Sequence, residues 1–121
     1  MRLSNYLHTF VEQISKIEME NIEIQKNVEG SVLTVSLKGR LDTANSGEVS
    51  QDLLGSLNGV KQLVLDFTDL VYISSSGLRI LLQLVKQLKG QQGELIVRHV
   101  SKEIMDVFKM TGFSSLLKIE D

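Results

Sequence analysis

The stretch of sequence that decides the fold runs from residue 66 to residue 79 and reads DFTDLVYISSSGLR. Residues 60–67 form a nearly continuous apolar run, which predicts a strand covered on both faces. A loop follows, and Ser74, Ser75 and Ser76 then stand where a helical pattern begins. Because sites in open α/β sheets gather at the carboxyl ends of strands, this junction is the candidate functional site.

The helix after this junction is predicted over residues 75–89, with Gly90 as its C-cap. Its core-facing stripe comprises Leu78, Leu81, Leu82, Val85 and Leu88. Ile80 and Leu84 lie to one side of that stripe, in line with Ser76. Two interpretations stay open for them, namely deeper burial and a docking face that extends from the serines.

Outward from this segment, the hydrophobic periods alternate between those of strands and helices. Strands are predicted at 22–24, 32–37, 60–67, 93–99 and 116–119. Residues 39–46 are predicted as an irregular link to a first helix, where Asn45 and Glu48 have capping-box spacing. Ser101 caps a last helix that Gly112 ends. The order β-β-α-β-α-β-α-β predicts an α/β fold with a single mixed sheet, parallel where helices intervene.

Residues 1–18 differ from the rest and are predicted as an N-terminal amphipathic helix, a helical extension ahead of a domain over residues 19–121. The apolar residues of its stripe recur at spacings of four and three and are Leu3, Leu7, Phe10, Ile14 and Ile17. One interpretation is a packing helix or an extension that arises from start-codon choice. The other is a dimerisation or partner-docking helix, because the stripe also fits a short coiled-coil seam.

Composition argues against several function classes. The 121 residues include no cysteine, so neither a disulfide nor a thiolate metal site is possible, and the two histidines lack metal-site spacing. The net charge is −2 and the basic residues are scattered, which argues against direct nucleic-acid binding. No apolar run has the length of a membrane span and no secretory signal pattern is seen, so a cytoplasmic protein is expected.

Catalysis by the serine cluster is not expected either. The cluster lies outside any Gly-x-Ser-x-Gly elbow, and no phosphate-cradling glycine loop is present. We therefore predict a non-enzyme with no cofactor. A serine at a helix start has two other roles, as an N-cap or as a phosphoacceptor where the helix end tolerates an anion. The residues alone leave both roles open.

Three separated motifs resemble the STAS domain of bacterial anti-sigma factor antagonists, the SpoIIAA-like family. Residues 65–78, LDFTDLVYISSSGL, match the family segment Leu-Asp-Leu-x-x-Val-x-Phe-Ile-Asp-Ser-Ser-Gly-Leu in spacing. Residues 39–42, GRLD, resemble its Gly-x-Leu-Asp, and residues 111–113, TGF, resemble its Thr-Gly-Leu. The resemblance covers about residues 20–121.

The resemblance implies partner switching. The unphosphorylated domain is expected to bind an anti-sigma factor that is also a serine kinase, so that a sigma factor is released and transcription is regulated. Phosphorylation ends that interaction, and a serine/threonine phosphatase resets it. Alignment implies Ser75 as the phosphoacceptor. A runner-up interpretation is a non-switching STAS subunit or scaffold of a lipid transporter or stress-signalling complex.

Five residues around Ser75 are expected to bind the partner, namely Asp42, Ser74, Ser76, Gly77 and Arg79. Asp42 has the alternative role of orienting its own turn by an Asx-type hydrogen bond. Arg79 is expected to meet a phosphate or a partner carboxylate, or only to solvate the surface. Ser74 replaces the family aspartate, which leaves open altered kinase recognition, a phosphate on Ser74 or Ser76, or constitutive binding.

Overall fold

Six strands and three helices make up the part of the chain that the computed structural model describes, residues 13–121. The strands are β1 (Gln13–Met19), β2 (Ile22–Glu29), β3 (Val32–Leu41), β4 (Gln62–Ile73), β5 (Glu94–Arg98) and β6 (Lys118–Glu120). The helices are α1 (Ser46–Gly55), α2 (Ser75–Gly90) and α3 (Lys102–Thr111), and a 3-10 turn spans Phe113–Ser115.

The strands form one sheet in the order β1-β2-β3-β4-β5-β6. The pairs β1–β2 and β2–β3 are antiparallel, and each later pair is parallel because helical segments carry the chain back between its strands. The single mixed sheet predicted from the order of elements is therefore confirmed. Parallel pairing brings the carboxyl ends of β3 and β4 to one edge of the sheet, where α2 begins.

The three helices cover one and the same face of the sheet. Alternate strand residues such as Leu33, Leu63 and Leu65 point into a single apolar core together with the buried residues of every helix. Phe67 of β4 packs in that core against Phe108 of α3, with ring centroids 6.4 Å apart. None of the helices within residues 13–121 is long and apolar enough to cross a membrane.

The N-terminal helix predicted over residues 1–18 is wrong for residues 13–18, and residues 1–12 lie outside the described part of the chain. Gln13–Met19 is a strand, paired with β2 through a tight turn in which Asn21 has a φ of 65°. Ile17 lies opposite Ile24 in that pairing. A short apolar pattern fits either element, and the long-range pairing with β2 decides between them.

β2, β3 and β4 all run further than predicted, β2 as far as Glu29. β3 continues to Leu41, so the irregular link predicted over residues 39–46 shortens to residues 42–45. β4 continues to Ile73 and contains two register shifts against β3, the second of which leaves Val71 without a partner between Leu70 and Tyr72. Such bulges re-aim side chains near the end of a strand. Val71 is 68% exposed.

The predicted α2 is confirmed in position, and Leu78, Leu81 and Leu88 of its predicted core-facing stripe are buried. Ile80 and Leu84 are buried, whereas Leu82 and Val85 are only half-buried. Deeper burial is therefore the correct interpretation of Ile80 and Leu84, and a docking face on these two residues is wrong. The predicted stripe is displaced because α2 packs against α1 as well as against the sheet.

Candidate functional site

The serine cluster lies where β4 passes into α2, and Ser74 is the N-cap of that helix. Its backbone is extended, and its Oγ accepts a hydrogen bond from the Gly77 N–H at 3.1 Å. A second hydrogen bond, 2.8 Å long, joins the hydroxyls of Ser74 and Ser76. Ser74 is only 8% exposed. The capping role that the sequence left open for this cluster therefore falls to its first serine.

Ser75 is the first residue of α2 and differs from both of its neighbours. Its side chain is exposed, whereas that of Ser76 is half-buried. Within residues 13–121 the Ser75 hydroxyl makes no hydrogen bond, so it is not committed to holding the helix start. A serine directly after an occupied N-cap presents its hydroxyl beside the unpaired N–H groups of the helix end.

Gly77 brings the first turn of α2 close to the ends of two strands. A Cβ at this position would lie 2.8 Å from Cγ1 of Ile73 and 3.0 Å from Cγ of Leu41, both of which are buried. Only glycine allows this approach without displacing the core. The structure thus gives Gly77 a packing role, and its contact with a partner stays a prediction.

Asp42 follows the end of β3 and lies beside the serine cluster through the backbone. The Ser74 N–H donates to the carbonyl of Leu41 at 2.9 Å, so the residues after β3 and β4 adjoin. Oδ1 of Asp42 accepts from the N–H groups of Ala44 and Asn45 at 3.0 and 3.1 Å. This is the Asx-type geometry that the sequence offered as the alternative role of Asp42.

Asn45 holds the loop between β3 and α1, although the sequence suggested a capping box instead. Its side-chain amide donates to the carbonyls of Glu20 and Arg40 at 2.7 and 2.8 Å, and its Oδ1 accepts from the Asp42 N–H at 3.0 Å. No side-chain cap forms at α1. The capping-box prediction is wrong because this buried side chain is committed to other backbone groups, among them one that is distant in sequence.

Arg40 and Tyr72 lie just before the ends of β3 and β4, and sequence reasoning did not select them as site residues. They are neighbours across β3 and β4, and the guanidinium carbon of Arg40 lies 4.1 Å from the Tyr72 ring centroid. Nε of Arg40 lies 3.9 Å from Oδ2 of Asp42. An aromatic three residues before Ser75 was the available signal. Val71, Tyr72 and Arg40 are all exposed at this end of the sheet.

Arg79 lies on α2 one turn beyond Ser75, with an exposed side chain. It lines a shallow groove between α1 and α2, together with Ser76 and with Ser46, Gly47, Ser50, Ile80 and Gln83. Among residues 13–121 it has no ion-pair partner. A cation one helical turn from an exposed hydroxyl is within the range at which helix side chains interact.

Residues 13–121 contain no cluster of histidine and carboxylate groups that could hold a metal ion. Asp66, which precedes the serines on β4, instead uses Oδ1 to accept from the N–H and the hydroxyl of Thr68, at 2.9 and 2.6 Å. That carboxylate therefore shapes a bulge of β4. What the arrangement offers chemically is one accessible hydroxyl on a rigid helix start.

Fold and site together define a small α/β module with one mixed sheet, in which the second helix starts at a capped serine cluster. Residues 23–121 match the family model of the STAS domain, and the chain belongs to that family. The structure is similar to unphosphorylated SpoIIAA, described as an anti-sigma factor antagonist, with a TM-score of 0.64 and 19% identity. That likeness covers 92% of this chain and 88% of SpoIIAA, and it concerns the fold alone.

Two curated relatives are similar in sequence over most of their length. BtrV of Bordetella bronchiseptica, assigned as an anti-sigma factor antagonist, is 32% identical over 105 residues, which cover 86% of this chain and 84% of BtrV. The anti-sigma-B factor antagonist of Listeria monocytogenes is 27% identical over 105 residues, 84% of this chain and 90% of that protein. The relatives thus place the chain in the family of the anti-sigma factor antagonists.

Proposed function

We propose that this protein is an anti-sigma factor antagonist that works by partner switching in the cytoplasm. Unphosphorylated, it binds an anti-sigma factor that is also a serine kinase, and so frees a sigma factor for transcription. Phosphorylation of Ser75 ends the interaction, and a serine/threonine phosphatase restores it. The observation that carries the proposal is the exposed, uncommitted Ser75 hydroxyl beside a buried serine cap.

Burial and hydrogen bonding favour Ser75 over its two neighbours as the phosphoacceptor. A phosphate on Ser74 would remove the N-cap and would need space in a nearly buried position. A phosphate on Ser76 would break the 2.8 Å hydrogen bond between Ser76 and Ser74 in the groove against α1. A phosphate on Ser75 disturbs neither interaction, because its side chain is exposed to solvent.

The start of α2 tolerates the added charge. A phosphoserine carries about −1.5 to −2 charges at neutral pH, and a helix N-terminus stabilises a nearby anion. The first turn of α2 contains no acidic residue that would repel the phosphate. Arg79, one turn further on, supplies a cation on the same helix. We therefore expect the phosphorylated domain to stay folded, so that the modification acts on the docked partner.

The partner is expected to dock on the surface that surrounds Ser75. Val71 and Tyr72 are exposed apolar residues just before the serines, Arg40 of β3 lies over the Tyr72 ring, and Asp42 follows directly after β3. An apolar centre with charged groups at its rim is typical of a protein-protein interface. A phosphate placed at such a centre opposes binding through desolvation and like-charge repulsion. In this mechanism the chain is the substrate of the kinase and performs no chemistry itself.

The test is the affinity of the cognate anti-sigma factor for three variants, measured by titration calorimetry. Ser75→Ala should bind as tightly as the wild type, because the hydroxyl makes no hydrogen bond within residues 13–121. Ser75→Asp should bind at least about 30-fold more weakly, since a buried unpaired charge in an interface costs ~2 kcal/mol or more.

Lys102→Asp is the matched control, because Lys102 is the exposed first residue of α3, directly after its serine cap. It should leave the affinity unchanged. Equal affinities of Ser75→Ala and Ser75→Asp would contradict the switch and favour a constitutive scaffold or transporter subunit.

A further inference from the structure

Two apolar side chains are buried on the face of the sheet that carries no helix. Val64 is 4% exposed and Ile96 is 3% exposed, yet neither belongs to the core beneath the helices. Their neighbours Leu63 and Leu95 do belong to it, and successive strand residues point to opposite faces. Val64 and Ile96 are partners in register, and Thr34 lies next to Val64 on β3. These three residues form what we call the second face.

Some part of the protein must cover the second face for its residues to be buried, and no helix within residues 13–121 does so. Every helix of that part contributes its buried residues to the core on the first face. A second sign comes from Asn27, which is opposite Thr34 in the pairing of β2 with β3. Its Oδ1 is buried and has no hydrogen-bond partner within residues 13–121. A buried acceptor of this kind marks a place where further polar groups approach.

Residues 1–12 have the length and the position to provide this cover. They join the sheet at Gln13, the first residue of β1, and β1 is an edge strand. Strands lie about 4.8 Å apart, so the distance from β1 to β5 is roughly 19 Å. Twelve residues in a helix span about 18 Å. A helix that starts from the edge would therefore extend over Val64 on β4 and end close to Ile96 on β5.

The sequence of this segment supplies an apolar side that matches. Leu3, Leu7 and Phe10 share one side of a helix, and Asn5 lies on the opposite side. We propose that residues 1–12 dock on the second face of their own domain through Leu3, Leu7 and Phe10. The occupant is thus a segment of this chain, and not a second copy or another protein. The proposal is independent of the role of Ser75.

Thiol labelling in the full chain tests the proposal, because the natural sequence has no cysteine. Thr34→Cys places one thiol in the second face, and Lys38→Cys places one at an exposed position further along β3. Each of these two cysteine variants is then combined with one further substitution, either Leu7→Asp or, as the matched control, Asn5→Asp. The rate of reaction with a maleimide is measured at several protein concentrations, and circular dichroism confirms that each variant is folded.

We expect Leu7→Asp to accelerate labelling of the thiol at position 34 by about tenfold or more, because losing the cover exposes it. Asn5→Asp should leave that rate unchanged, and neither change should affect labelling at position 38. Equal labelling rates at position 34 in all variants would overturn the proposal. They would mean that neighbouring long side chains cover the second face instead. A rate that falls with rising protein concentration would overturn it in favour of a second copy. If Leu7→Asp does not fold, Leu3→Asp takes its place with the same expected results.

Discussion

α2 and α3 begin with the same capping chemistry, but they differ in the burial of the cap and in the residue that follows it. At α2, Ser74 accepts from the Gly77 N–H at 3.1 Å, and at α3, Ser101 accepts from the Ile104 N–H at 3.2 Å. The cap of α2 is nearly buried and leads to an exposed serine. The cap of α3 is half-buried and leads to a lysine, with Glu103 in the first turn.

This difference separates a position that caps a helix from the position that we propose as the switch. Both caps satisfy a backbone N–H that would otherwise be unpaired at a helix end. At α3 the position after the cap is occupied by a lysine, and an acidic residue already uses the favourable field of the helix end. At α2 that field is free of acidic side chains, and a hydroxyl occupies the position after the cap. A capping serine alone therefore indicates little about function, and the residue that follows it is more informative.

The largest effect on stability is expected from Gly77→Ala, which tests the close packing at α2. The added methyl group would meet Ile73 and Leu41 in the core, and overpacking of this kind costs ~1–3 kcal/mol. We expect the free energy of unfolding to fall by about 2 kcal/mol in urea denaturation, despite the better helix propensity of alanine.

Gly47→Ala is the matched control for this change. Gly47 lies in the first turn of α1, and a Cβ there would meet nothing within 4 Å. This variant should gain about 0.5 kcal/mol, because alanine restricts the unfolded chain. A Gly77→Ala protein as stable as the wild type would show that the start of α2 is not fixed by this contact.

A smaller effect is expected from removing the two caps, one at a time. Ser74→Ala should lower the free energy of unfolding by about 1.5 kcal/mol, because a buried N–H loses its acceptor. Ser101→Ala should lower it by ~1 kcal/mol, the usual value for a more exposed N-cap. Ser74→Asp should restore most of the loss, since aspartate is an equally good cap. A larger loss at Ser101 than at Ser74 would contradict the comparison.

Local signals in the sequence predicted much of the fold, whereas the role of Ser75 stays a prediction. The serine cap of α3, the glycine with a φ of 84° that ends it, and the mixed sheet are all confirmed. These features depend on residues close together in the chain or on the order of elements. The resemblance of the segment around Ser75 to the STAS motif likewise lies within one short run, residues 65–78.

Features that depend on long-range partners could not be predicted in this way. Residues 13–18 pair with β2, and their apolar spacing alone suggested a helix. Asn45 bonds to Glu20, 25 positions away, instead of capping α1. Arg40 meets Tyr72 only because β3 and β4 are neighbours in the sheet. Which of three adjacent serines is buried and which is exposed also depends on how α2 packs.

Phosphosite mapping by mass spectrometry is the most direct test of a phosphorylation switch at Ser75. The protein would be isolated from its own host during growth and during stress, and Ser74, Ser75, Ser76 and Ser101 would be scored separately. We expect phosphate on Ser75 alone, in a proportion that changes with condition. Phosphate on Ser74 or Ser76 instead, or none on Ser75 in either condition while the wild-type partner still co-purifies, would contradict it.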